Sequence, residues 1–162
     1  MVEAKQVYYF MTRSTLKKLV VLLSQTHDRS LETGKQMGEA GGTSDFHDNF
    51  AFEQGQRDFS YLMGQVARMR DKIKNAVIIE PNTDTQSIGI GHEVTVRSMP
   101  TTETNVYTIL GPSDSEPSIG WISCLTPVAQ ALMGRTTGDI VSLPTEEGFE
   151  ENSILGFRPG NF

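Results

Sequence analysis

Two aspartates three residues apart, Asp45 and Asp48, stand in the stretch GGTSDFHDNFAFEQG at residues 41–55. Carboxylate oxygens are hard ligands of the kind that Mg²⁺ prefers, so the pair could help to hold a divalent cation. Two carboxylates alone bind Mg²⁺ poorly, and a partner would have to supply the remaining ligands. Asp is also common in solvated turns, because its side chain hydrogen-bonds to the local backbone. The pair by itself leaves both interpretations open.

Three phenylalanines accompany the two carboxylates: Phe46, Phe50 and Phe52. Phe52 begins a regular apolar pattern and is expected in the core of a helix pair. Phe46 and Phe50 fall off that pattern, which makes them candidates for contacting a partner.

The residues that follow this stretch repeat as a heptad, which is typical of a helix that packs along another helix. One seam position is occupied by Phe52, Phe59, Val66 and Ile73, and the alternate position by Leu62, Met69 and Ala76. Gly55 also falls on the seam, so the opposing helix can approach closely there.

An earlier helix is predicted to begin at Arg13, with Thr12 as its N-cap, and to run towards Gly38–Gly42. Residues 1–10 are expected to be irregular. The apolar face of this helix is interrupted in its middle by Thr26, Ser30 and Gly34, and its apolar members are Leu16, Leu19, Val20, Leu23 and Met37. Two helices joined by a short glycine-bearing loop predict an antiparallel hairpin over residues 1–76, with its tip at 43–50. About 30 residues at roughly 1.5 Å each extend some 45 Å, so the tip is expected to project.

A second module, residues 77–162, shows short β-like runs separated by Asn, Pro, Gly and Ser clusters. The runs are AVIIE, HEVTVRS, VYTIL, GWISCL and DIVSL. One helix is predicted at 127–134, capped by Thr126 and stopped by Gly134. The pattern predicts a small α+β domain, with the last strand left undetermined because residues 144–162 hold one short apolar run.

The charge distribution supports two modules with different surfaces. Residues 1–75 hold 11 Lys+Arg and 9 Asp+Glu, whereas residues 76–162 hold 3 and 11, which together give the net charge of −6. An acidic total argues against a simple nucleic-acid coat. The single Cys124 and the lack of a secretion signal favour a cytoplasmic protein, and no apolar run approaches the ~20 residues that span a bilayer. His27, His47 and His92 share no ligand spacing, so no zinc site is expected.

Three motifs, taken in order, resemble those of the bacterial Gre-type transcript cleavage factors, the GreA/GreB family. They are the MT-x3-L-x2-L opening at Met11 to Leu19, SDFHDN before the second helix, and SCLTPVAQALMGRTTGDIV at 123–141. The resemblance spans residues 11 to about 145. It implies a coiled-coil hairpin followed by an FKBP-like α+β domain.

The resemblance also implies a function. A protein of this family binds RNA polymerase by its C-terminal domain and passes its hairpin through the secondary channel. There Asp45 and Asp48 would position a second Mg²⁺ and a water, so that the polymerase cleaves the backtracked 3′ end of the nascent RNA. The protein is then an activator and not itself an enzyme.

Further site residues are carried over from the family by position. Tip contacts are expected from Phe46, Asn49, Phe50 and Phe52. Contacts with RNA or polymerase are expected from Arg68, Arg70, Lys72 and Lys74, which could equally pair with the acidic second domain. The polymerase-binding domain is expected to use Thr126, Pro127, Leu132, Gly134, Gly138 and Asp139.

Two positions depart from the family pattern, and other functions remain open. Asp48 stands where Glu is typical, and Phe52 stands where Tyr is usual. A Gre-like regulator that occupies the channel without stimulating cleavage is therefore the closest alternative. A peptidyl-prolyl isomerase and a plain coiled-coil adaptor are the others. A monomer is expected, although heptads also serve dimers.

Overall fold

The computed structural model describes residues 7–40, 49–146 and 148–162, and they form two compact units. One unit contains the helical segment Leu16–Ala76. The other contains Tyr9–Thr15 and Val77–Phe162. The expected α+β class, with a long N-terminal helical hairpin, is confirmed.

The hairpin consists of α1 (Arg13–Ala40) and α2 (Asn49–Lys74). Thr12 caps α1 as predicted, because its Oγ1 accepts a hydrogen bond from the backbone N–H of Thr15 at 3.3 Å. Lys72 and Lys74 lie in the last turn of α2, where positive charge interacts favourably with the helix dipole.

The two helices of the hairpin are antiparallel, as their closest approaches show. A Cβ placed on Gly34 would lie 3.4 Å from the ring of Phe59, and one placed on Gly55 would lie 3.2 Å from Met37 Cγ. Higher numbers on α1 therefore meet lower numbers on α2. Leu62 and Val66 are buried, which confirms the heptad seam along α2, but Ala76 was wrongly expected on it, because α2 ends at Lys74 and Ala76 belongs to a strand.

Thr26 and Ser30 are buried on the seam even though they are polar. Their hydroxyls donate to backbone carbonyls of their own helix, Thr26 to Leu22 at 2.8 Å and Ser30 to His27 at 2.6 Å. The bonds satisfy the hydroxyls without a partner from α2, which removes most of the cost of burying them.

Val20 was expected on the seam, and that expectation is wrong: its side chain is exposed. Leu19 and Leu23 already occupy the seam, and Val20 lies about 100° around the helix from Leu19. A single partner helix covers only a narrow stripe, so Val20 falls outside it.

The second unit contains two sheets and a short helix. β1 (Tyr9–Met11) and β2 (Ala76–Ile78) form a two-stranded sheet. The strands of the five-stranded sheet are β3 (His92–Ser98), β4 (Thr104–Leu110), β5 (Trp121–Ser123), β6 (Ile140–Thr145) and β7 (Gly148–Pro159), in the order β5-β4-β3-β7-β6. Helix α3 is Pro127–Leu132, and 3₁₀ turns lie at Pro112–Asp114 and Pro117–Ile119.

One face of the five-stranded sheet packs with α3 around a single apolar core. Trp121, expected in this core, is half-buried, and Cys124 is buried as a small apolar residue. The buried members of the core are Ile88, Val94, Val96, Ile109, Ile122, Cys124, Ala129, Leu132, Val141, Leu143 and Ile154.

Two expectations about strands need correction. Residues 9 and 10 were expected to be irregular but belong to β1, because Met11 is fully buried and its carbonyl accepts from Ile79 N–H at 2.9 Å. The last strand, left undetermined, is β7, the longest strand among the described residues. It pairs with both β3 and β6, so its polar residues are held by neighbours on two sides.

Candidate functional site

The expected site lies where α1 ends and α2 begins. Asp45, Phe46 and Asp48 are outside the described residues, so their expected roles stay predictions. Asn49 is the first residue of α2. The described chain thus brackets the two carboxylates with the ends of two paired helices.

Phe50 and Phe52 have different environments, as their sequence positions predicted. Phe50 is 73% exposed, whereas Phe52 is half-buried on the seam. Phe50 also lines an open cavity of about 660 Å³ on one flank of the hairpin, together with Met37, Gln54 and Gly55. Phe50 follows Asp48 by two residues, and an aromatic ring left in solvent at this position is available to a partner.

The basic residues Arg68, Arg70, Lys72 and Lys74 lie on the last part of α2. Arg68, Arg70 and Lys74 are exposed, and Lys72 is half-buried. Arg68 and Lys72 line a second cavity, of about 400 Å³, whose apolar part is formed by Leu19, Leu22 and Met69. Neither of the two ion pairs among the described residues involves these four cations.

The residues expected to bind polymerase all build the turn between β5 and β6. Thr126 Oγ1 donates to the Ser123 carbonyl at 2.8 Å and accepts from Ala129 N–H at 3.3 Å, which caps α3. Pro127 occupies the first turn, and Leu132 is fully buried. The remaining members of the motif shape the return to β6: Gly134 at φ 78°, Gly138 at φ 91°, and Asp139, whose Oδ2 accepts from Thr136 N–H at 2.9 Å.

These six residues shape the turn, and Pro127, Gly134 and Gly138 are also exposed on it, so their expected contact with polymerase stays a prediction. Leu125 is 66% exposed, although it directly precedes the cap of α3. Leu125 was not among the residues expected to make contacts. Its position in the sequence could have indicated exposure, since an apolar residue between a buried strand and a helix cap has no seam or core position to fill.

A buried carboxylate, Asp114, is a second residue that the sequence analysis missed. Its Oδ1 accepts from the Thr12 hydroxyl at 2.6 Å, and its Oδ2 accepts from the Thr12 backbone N–H at 3.0 Å. Both contacts fix the residue that caps α1. No local pattern joins positions 102 residues apart, so sequence inspection had no way to find this pair.

Two side chains of the second unit, Cys124 and Tyr107, have raised pKa values. Burial raises the pKa of the Cys124 thiol above its ordinary value of 9.0. Burial, and then the carboxylate of Glu150, raise the pKa of Tyr107 above 10.0. Both shifts favour the neutral form, which suits structural residues better than a nucleophile or a general base.

No candidate metal centre occurs within the described residues. No group of three or more His, Cys, Asp or Glu side chains there could hold an ion. His92 is fully buried, but both ring nitrogens are committed to the backbone, Nδ1 to Gly89 N–H and Nε2 to the Asp84 carbonyl, each at 2.9 Å. In the same part of the chain, no helix is long and apolar enough to cross a membrane.

Similar proteins of known family cover nearly the whole chain. The transcription elongation factor GreA of Shouchella clausii is 31% identical over 157 residues, which are 96% of this chain and 99% of the relative. The family model described as transcription elongation factor GreA/GreB, C-terminal, matches residues 82–159. The chain belongs to the GreA/GreB family of transcription elongation factors. GreA of Halalkalibacterium halodurans is 30% identical over the same shares of the two chains.

Solved structures similar to this chain are also known. GreA factor homolog 1 (Gfh1) of Thermus thermophilus is 23% identical, with 94% of this chain and 99% of that chain covered at a TM-score of 0.44. Within the family match, residues 82–159 contain Leu125 and the whole turn between β5 and β6.

Proposed function

We propose that this GreA/GreB-family protein binds RNA polymerase and stimulates the polymerase's own cleavage of backtracked RNA. Its C-terminal domain holds the polymerase, and its hairpin places residues 43–50 in the secondary channel. The observation that supports the proposal most strongly is the match to GreA over 96% of this chain. The hydrolytic reaction belongs to the polymerase, and this chain acts on it as an activator.

The two tip carboxylates are the groups that act in the channel. A second Mg²⁺, bound in the complex, would stabilise the entering and leaving oxygens of the phosphodiester. Asp45 and Asp48 offer the hard oxygen ligands that suit this ion, and the polymerase supplies the rest. Their negative charge also orients the attacking water next to the RNA 3′ end.

The described part of the hairpin supports such a role by presenting the tip on two paired helices. Gly55 and Gly34 let α1 and α2 approach closely, at Met37 and at Phe59. Sites carried by paired helices are positioned more accurately than sites on long free loops. Phe50, exposed beside the tip, contacts the polymerase or the terminal base of the RNA.

The Arg68–Lys74 segment contributes positive charge further along α2. None of its four cations takes part in an ion pair among the described residues, so each is available to a phosphate or a carboxylate of the partner. Leu125 and the turn that carries it form the docking side of the second unit.

Cleavage of backtracked RNA by cognate elongation complexes tests the proposal. In the presence of Mg²⁺, the protein should accelerate 3′ cleavage, and Asp45→Ala and Asp48→Ala should each reduce the acceleration at least tenfold while polymerase binding is retained. The matched control is Asp58→Ala, an exposed aspartate of α2 whose carboxylate bonds only to Gln54 of its own helix at 3.0 Å among the described contacts. An unchanged cleavage rate in both tip variants would contradict the assignment of the metal ligands.

A second function is favoured by the two departures from the family pattern. Asp48 is one methylene shorter than the usual Glu, roughly 1.5 Å of reach, where Mg²⁺ tolerates little error. Phe52 also lacks the hydroxyl of the usual Tyr. A channel-occupying regulator would bind polymerase tightly and leave backtracked RNA intact. If Asp48→Glu converts such a protein into an activator, this second function is correct.

A further inference from the structure

The outward side of α1 carries three exposed aliphatic residues in a row: Val20, Val21 and Leu22. Leu19 and Leu23 on either side are half-buried on the hairpin seam. Residues 19–23 are thus apolar all round the helix. A helix of this kind is normally covered on every side, but α2 covers only one.

Val21 marks the centre of the uncovered side. It lies two residues from both Leu19 and Leu23, about 200° around the helix from each, so it points away from the seam. Its side chain is 56% exposed. The aliphatic patch therefore cannot be explained by packing within the hairpin.

Charged residues flank the patch with opposite signs at its two ends. Lys17 and Lys18 precede it, and Asp28 and Glu32 follow it within about 20° of Val21 around the helix, all four exposed; the exposed Arg29 lies about 80° away from Val21. No charged residue lies on α1 between Lys18 and Asp28. None of the four belongs to an ion pair among the described residues.

We infer that this face of α1, from Lys17 to Glu32, is a self-association surface that pairs antiparallel with the same face of a second copy. A twofold axis between Leu22 and Leu23 would bring the two aliphatic patches together. Lys17 of one copy and Asp28 of the other then lie level, because each is about 8 Å along the helix from the axis. A parallel pairing would instead set lysine against lysine, so the charge pattern selects the antiparallel one.

The size of the surface sets the strength of the pairing. From Lys17 to Glu32 the face is about 22 Å long and roughly 10 Å wide. It is much smaller than the ~800 Å² per partner of a standard stable interface. The pairing is consequently weak and reversible, and dilute protein is monomeric, as the sequence analysis expected.

Sedimentation velocity over a concentration series, from micromolar to millimolar, tests the surface. The weight-average mass should rise from 17.9 kDa towards twice that value as concentration increases. Val21→Gln should weaken the association at least tenfold. Met63→Gln is the matched control and should change it less than twofold, since Met63 is also an exposed apolar residue but lies on α2, outside the face from Lys17 to Glu32.

Charge reversal tests the antiparallel register independently of the aliphatic patch. A Lys17→Glu/Lys18→Glu variant and an Asp28→Lys/Glu32→Lys variant should each remain monomeric, because like charges then meet. An equimolar mixture of the two should associate again as a heterodimer, with circular dichroism confirming unchanged helix content. A wild-type mass that stays at 17.9 kDa throughout, or a mixture that stays monomeric while wild-type associates, would overturn the inference.

Discussion

Thr12 carries two structural tasks through one short side chain. Its hydroxyl oxygen accepts from Thr15 N–H at the start of α1 and donates its proton to Asp114, while its backbone N–H also reaches that carboxylate. Asp114 is buried, and both donors that the described contacts give to its carboxylate belong to Thr12. A residue first assigned as a helix cap is therefore also the partner of a buried acid.

Removing the carboxylate of Asp114 should destabilise the second unit. Asp114→Ala leaves the buried Thr12 N–H and hydroxyl without their acceptor, which typically costs about 1–3 kcal/mol. Urea unfolding measures the loss, with Glu116→Ala as the control because Glu116 is exposed two residues away. Equal stability of the two variants would show that the buried pair contributes nothing net.

Cys124 offers a direct chemical readout of the second unit. Its pKa is raised by burial, so at neutral pH even less thiolate is present than in a free cysteine. Alkylation of the folded protein should be at least tenfold slower than alkylation in denaturing urea, and its rate should still be rising as the pH passes 9.0, because the thiolate fraction grows until the pH exceeds the raised pKa. Because Cys124 is the single cysteine, the signal is unambiguous, and rapid alkylation at neutral pH would contradict the burial.

At the level of the elements, the hairpin was largely predictable and the sheets were less so. Heptad spacing and the Thr12 cap are local signals, and they located both helices. β1 was missed and β7 was left undetermined, because a strand is stabilised by pairing with residues distant in sequence. In β7, the polar Asn152 is buried as well as Ile154. On the paired strand β3, a register shift between Thr95 and Val96 interrupts the alternation of inward and outward side chains. The role of Asp114 also depends on such long-range placement.

Gly55 should respond to substitution according to the size of the new side chain. Gly55→Ala gains helix propensity worth up to about 1 kcal/mol and needs Met37 to shift by a few tenths of an ångström, which a flexible side chain can do. Gly55→Val adds two more carbons against Met37 and should destabilise the hairpin by about 1–3 kcal/mol. Thermal unfolding followed by circular dichroism compares them, and Gly38 is the control, since nothing lies within 4 Å of a Cβ placed there.

At the level of the whole molecule, we propose that recognition of RNA polymerase is divided between the two compact units. The motif residues around α3 stabilise its turn, for example through the cap at Thr126, whereas the side chain of Leu125 is exposed to solvent. Scaffold and contact residue are neighbours in sequence but have separable functions.

Leu125→Glu should weaken binding to RNA polymerase at least tenfold without loss of stability, because an exposed apolar contact is replaced by a charge that solvent accommodates. Titration with fluorescently labelled protein measures the affinity. Ile119→Glu is the control, an equally apolar and exposed residue outside the α3 turn. Unchanged affinity for Leu125→Glu would move the docking surface away from this turn.

The 102-residue separation of Thr12 from Asp114 has a consequence for the order in which the chain folds as it is synthesised. Residues 9–15 leave the ribosome early, but β7, which lies between β3 and β6 in the sheet, is made last. Helix α1 and helix α2 are complete well before, and their contacts are comparatively local. The hairpin can therefore form during translation before the α+β domain, which cannot complete its sheet until β7 has left the ribosome.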